Sequence, residues 1–425
     1  MKTFLFMVDH KLRDLISLLI IKKELEKKGS KVVFCRNGME LPVAIKNKVD
    51  TVILTQVLTK EWKNISLNLK KFGCNVVSLP SEGNPFINKA KIELAHGNNF
   101  GYEHLDIIFA WRKKIFNLTK KVNKNSNVKV IYSGFHRLIS YTKKYKNFRK
   151  KLTKNYKEKN KINILFVSNF LGADYHDFPN NSFKHEINKD LALKESKHRK
   201  SCINFLKKLI ITYPNLNIIL KIHPYEKPDM WIKSFEHSGK NFKISVGDYI
   251  EGVIEQSDII IGRNCHTLTE ASILNKFIIN LSLKNDPWHT TLKGEKVKYP
   301  TIKNFEDFEK FLKIFRKMKK NPLDLTLLED FRFKNNKLDS IKIITDSLEK
   351  LDYKRESKLS KLFEMKQIIK YFIFVRFNNF KHNFIYLKNK KKKINKSKFY
   401  IDYRNRIEKH YHKSDIKFIQ KKLPN

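Results

Sequence analysis

Residues 216–226 read LNIILKIHPYE, and residues 257–270 read SDIIIGRNCHTLTE. The first stretch contains a short, nearly all-apolar run, Asn217 to Ile222, that ends at Pro224, which is typical of a central strand in a parallel sheet. The second stretch contains a similar run, Ile259 to Ile261, followed by a polar turn. Together they predict two neighbouring strand ends in an α/β domain.

Both runs are followed by polar residues. His223 lies just beyond the first strand, where ligands of open α/β sheets bind. The composition of Thr267 to Asn275 predicts a helix, and Cys265, His266 and Thr267 would lie at its N-terminus. Free N–H groups and the helix dipole favour a phosphate there. The sequence therefore predicts a diphosphate or phosphodiester pocket, and the alternative is an ordinary strand, turn and capped helix.

Glu270 lies one helical turn beyond Thr267. Its carboxylate can bind ribose hydroxyls. Alternatively, it is a capping-box glutamate that serves Thr267.

Composition limits the class of protein. The 425 residues suffice for two domains and an extra element, and 41% of them are hydrophobic. The formal net charge of +46 points toward nucleic acid or an anionic membrane surface. We discount this charge in part, because Lys, Asn and Ile are abundant throughout the chain.

The compartment follows from the cysteines and the hydropathy. Four scattered cysteines without metal-type spacing predict reduced thiols in the cytosol, with no zinc site and no disulfide framework. The apolar run Phe4 to Val8 is too short for a signal peptide. The sequence contains no run of about 18 apolar residues, so it predicts no membrane-spanning helix.

Strands alternate with helical segments along the chain, which predicts two doubly wound parallel sheets in tandem. The predicted strands of the first unit are Thr3 to Val8, Lys31 to Phe34, Thr51 to Leu54, Val76 to Leu79, Asp106 to Ala110 and Val128 to Tyr132. Those of the second are Ile162 to Val167, Asn217 to Ile222, Lys243 to Val246, Ile259 to Ile261 and Phe277 to Leu281.

The predicted organisation has five parts. They are an acceptor-side domain (1–145), a lysine-rich linker (146–161), a donor-binding domain (162–323), a returning helix (324–354) and a basic aromatic tail (355–425).

Ionisable side chains also follow the first unit's strands. Asp9 and His10 can provide a general base, while Arg13 and Asp14 follow on the acceptor side. The alternative is a helix N-cap at Asp9 with surface charges behind it.

Two further acceptor-side candidates follow later strands. Glu82 is a second acid or base candidate, or part of a polar turn. Trp111 is a sugar-stacking platform or a half-buried core aromatic.

No Gly-x-Gly-x-x-Gly, Walker loop or Asp-x-Asp occurs in the sequence. The usual signatures of dinucleotide, ATP and metal-bound sugar-nucleotide sites are thus missing. A metal-independent transferase with no cofactor fits better, in which the helix dipole and side chains replace a cation.

Six segments resemble, in this order, the bacterial surface carbohydrate biosynthesis proteins, over about residues 1 to 285. The segments are FLFMVDHKLRDL, SLPSEG, IFAW, ILFVSNF, KIHPYE and the SDIIIGRN to LTEASILNK block. These proteins are similar to the Kdo, sialyl and CDP-glycerol transferases of the glycosyltransferase B fold. The resemblance implies two Rossmann-like domains.

The resemblance also implies roles for particular residues. The His-Pro pair, here His223 and Pro224, places a histidine against the donor phosphate. A phosphate-binding Ser or Thr pair corresponds to Thr267 and Thr269, and Cys265 and His266 stand where a hydroxyl is expected. The donor-binding set is completed by Glu226 and Glu270, and the acceptor-side base falls on Asp9 or Glu82.

The chain changes character near its C-terminus. A helical pattern from Leu325 to Leu351 predicts a helix that returns to pack across the domains. Residues 351–425 hold 22 Lys and Arg against 6 Asp and Glu, a net charge of +16, with interleaved aromatics. Three interpretations stay open: binding to an anionic membrane surface, a helical tail packed through Phe372, Phe374 and Phe377, or nucleic-acid binding through Lys390 to Lys398.

The leading hypothesis is a cytoplasmic enzyme that transfers a sugar or polyol phosphate from a cytidine-type nucleotide donor to a glycan or lipid-linked glycan. A second hypothesis is a non-catalytic protein that binds a nucleotide sugar or glycan with the same fold. A third is a basic nucleic-acid-associated protein, which nothing in the two-domain body supports.

Overall fold

Short runs of β-branched and other apolar residues form the strands, because strands of parallel sheets are covered on both faces. The computed structural model describes residues 1–55, 57, 60–81, 104–124, 126–178, 188–224, 226–263, 265–283, 286, 300–317, 332–334, 337–352, 356–374, 376, 411 and 413–424. These residues form two compact units. The first lies within Met1–Gly83, Ile87–Ser140 and Leu328–Lys421, and the second within Tyr141–Leu327 and Lys422–Asn425.

The first unit contains a six-stranded parallel sheet in the order β2-β1-β3-β4-β5-β6. Its strands are β1 (Thr3–Val8), β2 (Lys31–Arg36), β3 (Thr51–Leu54), β4 (Asn75–Ser78), β5 (Ile107–Ala110) and β6 (Lys129–Tyr132). Its helices up to this point are α1 (Lys11–Lys27), α2 (Glu40–Asn47), α3 (Lys60–Lys71) and α4 (Lys113–Val122), and a 3₁₀ helix spans His136–Tyr141. The order is flavodoxin-like at its first strands, with a change of crossover direction between β1 and β3.

The second unit contains another six-stranded parallel sheet, in the order β12-β11-β10-β7-β8-β9. Its strands are β7 (Ile162–Val167), β8 (Leu216–Lys221), β9 (Phe242–Ser245), β10 (Ile259–Gly262), β11 (Phe277–Leu281) and β12 (Thr301–Ile302). Its helices are α5 (Lys146–Lys150), α6 (Leu171–Asp177), α7 (Lys189–Thr212), α8 (Asp229–Ser234), α9 (Ile250–Glu255), α10 (His266–Ile273) and α11 (Phe305–Phe315), with a short 3₁₀ turn at Lys143–Tyr145. Counted from β7 as the first strand, this is the dinucleotide-fold order 3-2-1-4-5-6.

The predicted fold class, two tandem Rossmann-like α/β domains, is confirmed. The strands at Thr3–Val8, Thr51–Leu54, Ile162–Val167 and Phe277–Leu281 coincide with the predicted ones. Between β7 and β8 the described chain is largely helical, because it contains α6 and α7.

The segment predicted to be a linker, 146–161, lies within the second unit. Within it, Arg149 is buried and forms an ion pair with Glu255 at 2.8 Å. Tyr156 is also buried, and its hydroxyl donates to Asp248 at 2.6 Å. The many lysines of this segment outnumber its buried aromatic and arginine side chains, which is why composition alone predicted a linker.

The returning helix is shorter than predicted. It is α12 (Ser340–Glu349), and it follows a two-stranded antiparallel ribbon, β13 (Phe333–Lys334) and β14 (Lys337–Leu338). Ile341, Ile344 and Leu348 are buried. The Lys2 ammonium contacts the carbonyl oxygens of Glu349 and Leu351. These contacts link the C-terminal end of α12 to the start of β1 in the same unit.

The tail is partly helical. Helix α13 spans 361–374, and α14 (Lys413–Lys422) follows. Phe374 packs against the core of the first unit, whereas Phe372 is exposed. Phe377 and Lys390 to Lys398 lie outside the described residues. Within the described part of the chain, no helix is both long and apolar enough to cross a bilayer.

Candidate functional site

In the second unit, the change of crossover direction falls between β7 and β10, and β8 lies on the other side of β7. Ligands of open α/β sheets bind outside the carboxyl ends of the strands at such a point. The residues that follow β7, β8 and β10 therefore form the candidate site. They include both predicted halves, the turn at His223 and the start of α10.

The His223 turn is tied to the end of β7. The backbone N–H of His223 donates to Ser168 Oγ at 2.8 Å, and the N–H of Ser168 donates to the carbonyl of Lys221 at 3.0 Å. The N–H of Glu226 donates to the carbonyl of His223 at 3.0 Å, which closes the turn over Pro224. The imidazole is half-buried at the edge of the sheet.

Glu226 lies beneath this turn rather than on its surface. Its side chain is 2% exposed, Oε1 accepts the backbone N–H of Phe170 at 2.8 Å, and Oε2 accepts the indole N–H of Trp231 at 2.8 Å. Burial, followed by the nearby Asp174 carboxylate, raises the pKa of Glu226 to about 7. Through these two hydrogen bonds Glu226 supports the loop after β7.

Arg263 connects the loop after β10 to the loop after β7. Its guanidinium is buried, stacks 4.5 Å from the ring centroid of Phe170, and donates to the carbonyl of Asn169 and to Glu195 at 3.2 Å. Its other terminal nitrogen lies 3.2 Å from Nδ1 of His198. Burial, and then the charge of Arg263, lower the pKa of His198 to about 3. The imidazole of His198 is thus neutral and accepts a hydrogen bond from the guanidinium.

The segment Ser168–Phe170 consequently joins the two halves of the site. Ser168 holds the His223 turn, Phe170 contacts Glu226, and Asn169 contacts Arg263. Ser168 and Arg263 were not among the residues predicted from the sequence, although Ser168 directly follows a predicted strand and Arg263 follows the glycine after one.

A second buried cluster supports the same edge. Arg199 on α7 bridges Asp174 and Asp177 of α6, and the N–H of Lys227 donates to Asp174 at 2.6 Å. Burial by itself would lower the pKa of Arg199. The charge of Asp174 and the hydrogen bonds to Asp174 and Asp177 have the larger combined effect, so the pKa of Arg199 is raised. The cluster connects α6 and α7, which follow β7, to the residues that follow β8.

Helix α10 begins where the sequence predicts. Its N-cap residue, Cys265, has an extended backbone with φ −125° and ψ 161° and makes no side-chain cap hydrogen bond. Cys265, His266 and Thr267 are half-buried at the carboxyl edge of the sheet. The positive end of the helix dipole therefore faces this edge, in the geometry that favours an anion.

Thr269 and Glu270 lie deeper. Thr269 is buried, and its hydroxyl has no hydrogen-bond partner among the described residues. Glu270 is also buried, and its Oε2 accepts the hydroxyl of Tyr141 at 3.0 Å. Thr267 is thus the more accessible member of the predicted threonine pair, and Tyr141 is a contact of Glu270 that the sequence did not indicate.

The predicted acceptor-side cluster of the first unit forms an ion-paired network at the end of β1. Arg13 contacts Asp9 at 2.8 Å and Asp14 at 2.6 Å. Burial alone would raise the pKa of Asp14, but the charge and hydrogen bonds of Arg13 and the N–H of His10 lower it to about 2. Asp14 is fully buried, so it supports the network instead of contacting an acceptor.

His10 is the N-cap of α1, a position that sequence analysis considered for Asp9. Its Nδ1 accepts the backbone N–H of Leu12 at 3.2 Å. In a neutral imidazole the proton then lies on Nε2. His10 is therefore arranged as a hydrogen-bond donor on its other side, which favours Asp9 over His10 as a base.

Trp111 is buried, and its ring centroid lies 5.1 Å from that of Phe135. It is thus a core aromatic, the alternative to a sugar-stacking platform. Glu82 lies outside the described residues. Two residues that were not predicted from the sequence follow β6: buried His136, and Arg137, which donates to the carbonyl of Ser81 at 3.1 Å.

Within the part of the chain that the structure describes, no group of three or more His, Cys, Asp and Glu side chains is arranged to hold a metal ion.

Sequence comparisons find no match: no protein-family model matches the chain, and no curated protein sequence does so. Solved structures do match. The UDP co-structure of MnaA from S. aureus is 14% identical, with a TM-score of 0.52, and the match covers 82% of this chain and 96% of that one.

Two further structures have the same TM-score of 0.52. For the wall teichoic acid polymerase TagF with CDPG, identity is 11% and coverage is 82% of this chain and 88% of that one. For a putative UDP-N-acetylglucosamine 2-epimerase from Listeria monocytogenes, identity is 10% and coverage is 85% and 100%. The similarity confirms a glycosyltransferase B type of fold, as expected from the resemblance to enzymes of bacterial surface-carbohydrate synthesis.

Proposed function

We propose that this protein is a metal-independent transferase of surface polysaccharide biosynthesis. It transfers a sugar or polyol phosphate from a nucleotide donor, of the cytidine type, to a glycan or lipid-linked glycan. The observation that carries this proposal is the junction of the His223 turn and the N-terminus of α10 on either side of Ser168–Phe170.

The junction suits the phosphates of a nucleotide donor. The His223 imidazole and the first turn of α10 at Thr267 supply hydrogen-bond donors, and the helix dipole adds a fixed positive potential. As the donor bond breaks, negative charge accumulates on the departing phosphate, and prearranged donors stabilise it without a cation. Because Ser168 and Arg263 hold the two halves in place, little reorganisation accompanies this step.

Glu270 is proposed to bind the ribose hydroxyls. The hydroxyl of Tyr141 donates to its Oε2 at 3.0 Å, which orients the carboxylate on α10. A carboxylate in this orientation retains further lone pairs for a diol.

The choice of a nucleotide donor draws support from the similar structures, since MnaA was solved with UDP and TagF with CDPG. The preference for cytidine rests on the His-Pro and Thr-x-Thr resemblance at His223 and Thr267. The fold itself is shared with epimerases, so it does not choose between transfer and epimerisation.

The acceptor hydroxyl must lose a proton when it attacks. Asp9 is the proposed base in the first unit, and the ion pair with Arg13 at 2.8 Å fixes one of its oxygens. Glu82 remains the other candidate. The reaction forms the bond between the acceptor oxygen and the transferred group, and the nucleotide leaves with the electron pair of the broken bond.

A donor panel tests the proposal. Thermal unfolding is measured with CDP-glycerol, a CMP-sugar and UDP-N-acetylglucosamine, followed by product analysis with and without a glycan acceptor. A donor at about a hundred times its Kd should add about 2.7 kcal/mol to the unfolding free energy, and acceptor-dependent release of nucleotide should follow.

The rival functions give different results in this panel. Stabilisation by a nucleotide sugar without turnover would indicate the binding protein of the second hypothesis. Conversion of UDP-N-acetylglucosamine without an acceptor would indicate an epimerase. Failure of every nucleotide to bind would contradict the site.

A further inference from the structure

Helix α13 (361–374) carries apolar residues on two sides. Phe363, Ile368, Tyr371 and Phe374 pack, partly buried, against the core of the first unit. That contact fixes the helix on the unit. The remaining apolar residues of α13 are then held away from this core.

The outward face of α13 is apolar and exposed. Its large side chains are 51–62% exposed, and they are Leu362, Met365, Ile369, Phe372 and Ile373. At about 100° per residue they occupy an arc of roughly 100° on one side of the helix. Eleven large hydrophobic residues are exposed among the described residues, and five of them lie here. Scattered exposed side chains need no explanation, but a contiguous set of this kind marks an interaction surface.

Cations border this face. Lys361, Lys366 and Lys370 are exposed on the same helix. The ammonium of Lys46 lies 4.8 Å from the ring centroid of Phe372. Glu364 is the one acidic residue in the sequence 361–374, and it accepts a hydrogen bond from Ser357 at 2.5 Å.

The lysines that border the exposed face of α13 indicate which kind of partner it binds. A symmetric contact with a second copy would place the same patch on both sides, and the lysines would then repel each other. An anionic lipid surface instead supplies an apolar phase for the exposed face and negative head groups for its border. At 1.5 Å per residue the helix is about 21 Å long, shorter than the ~30 Å hydrocarbon core, so it can lie on a bilayer but not cross it.

We propose that the exposed face of α13 is a membrane-docking surface. The helix lies along an anionic leaflet with Leu362, Ile369 and Ile373 at the boundary between head groups and acyl chains. Lys361 and Lys366 contact the lipid phosphates. This inference is independent of the nucleotide site, because none of the proposed donor residues lies in α13.

The test is sedimentation of the full-length protein with vesicles of phosphatidylcholine, with and without phosphatidylglycerol, at low and high salt. Ile369→Ser combined with Ile373→Ser should lower the partition coefficient at least about tenfold, because each change removes a side chain that binds through apolar area. The matched control is Ile211→Ser combined with Ile314→Ser. Those isoleucines are 80% and 53% exposed on helices of the second unit, and their replacement should leave binding unchanged.

A charge variant tests the second half of the proposal. Lys361→Gln combined with Lys366→Gln should reduce binding to the phosphatidylglycerol vesicles about tenfold and weaken its salt dependence, since each basic contact with an anionic leaflet contributes to binding. Binding to vesicles of phosphatidylcholine alone should change little.

Three results would overturn the proposal. The first is vesicle binding by the isoleucine variant that equals the wild type. The second is a lower melting temperature with unchanged vesicle binding, which would mean that protein covers this face. The third is a change of oligomeric mass in place of a change in lipid binding, which would identify a second copy as the partner. Thermal stabilisation by donor, measured on the same variants, should stay at the wild-type level.

Discussion

The backbone N–H of His223 donates a hydrogen bond of 2.8 Å to Ser168 Oγ. Two residues 55 positions apart thereby link the ends of neighbouring strands, β8 and β7. This bond is made by the backbone of His223. The backbone at the strand end is therefore held in place without the imidazole. Removal of the imidazole should therefore affect a ligand more than the fold.

His223→Ala should weaken donor binding or turnover about 10- to 150-fold, because a hydrogen bond to a charged group contributes about 1.5–3 kcal/mol. Its melting temperature should stay near that of the wild type. The measurements are donor affinity by calorimetry and turnover by nucleotide release. His237→Ala, at an exposed histidine of the same unit, is the control. Wild-type behaviour of the His223 variant would refute the donor site.

Transfer should not depend on a divalent cation. The sequence has no Asp-x-Asp, and the helix dipole and His223 are proposed to stabilise the departing phosphate. Activity should persist after dialysis against EDTA. Loss of activity with EDTA and its recovery with magnesium or manganese would contradict the proposed mechanism.

Glu226 should make stability depend on pH. Its pKa is about 7 in the folded protein against an ordinary value of 4.5, so the folded state holds the proton more tightly. The associated stability is fully present below about pH 4.5 and is lost as the pH rises to about 7, on the order of 3 kcal/mol in total.

Glu226→Gln removes this titration. Unfolding in urea at several pH values should show a shallower decline of the unfolding free energy from pH 5 to 7 in the variant than in the wild type. The slopes, and not the absolute stabilities, are compared, because glutamine cannot accept both of the hydrogen bonds that Glu226 accepts. Parallel slopes would show that Glu226 is not the titrating group.

Arg199→Ala should lower the unfolding free energy by about 3–5 kcal/mol, because it leaves Asp174 and Asp177 without their buried cation. Lys27→Ala, which breaks a largely exposed pair with Glu24, should cost less than about 1 kcal/mol. Chemical denaturation measures both variants. Similar losses would mean that the buried cluster does not support the fold as described.

Gly252→Ala should be destabilising although alanine favours helices. A Cβ at this position of α9 would lie 2.1 Å from Cγ2 of Thr153 and 3.1 Å from the carbonyl oxygen of Arg149. Overpacking of this kind typically costs about 1–3 kcal/mol. Addition of Thr153→Ser, which removes the clashing methyl group, should restore part of the melting temperature, and absence of any rescue would contradict this contact.

The sequence by itself determined the alternation of strands and helices, and it placed His223 and the start of α10 at strand ends. This was possible because strands covered on both faces are short and continuously apolar, and because proline, glycine and polar turns terminate them. In the lysine-rich segment around Arg149, composition did not indicate the buried side chains, because a few buried residues determine packing while many exposed lysines dominate the composition.

Only the tertiary structure decided which charged residues are partners. Arg263 meets Glu195 and His198 from 68 and 65 positions away, and Glu226 turns inward to Phe170 and Trp231 instead of outward to a ligand. Local sequence does not encode these contacts, since crossover helices bring distant segments to the same sheet edge. Once they are buried there, the cost of leaving a charge without a partner fixes the pairing.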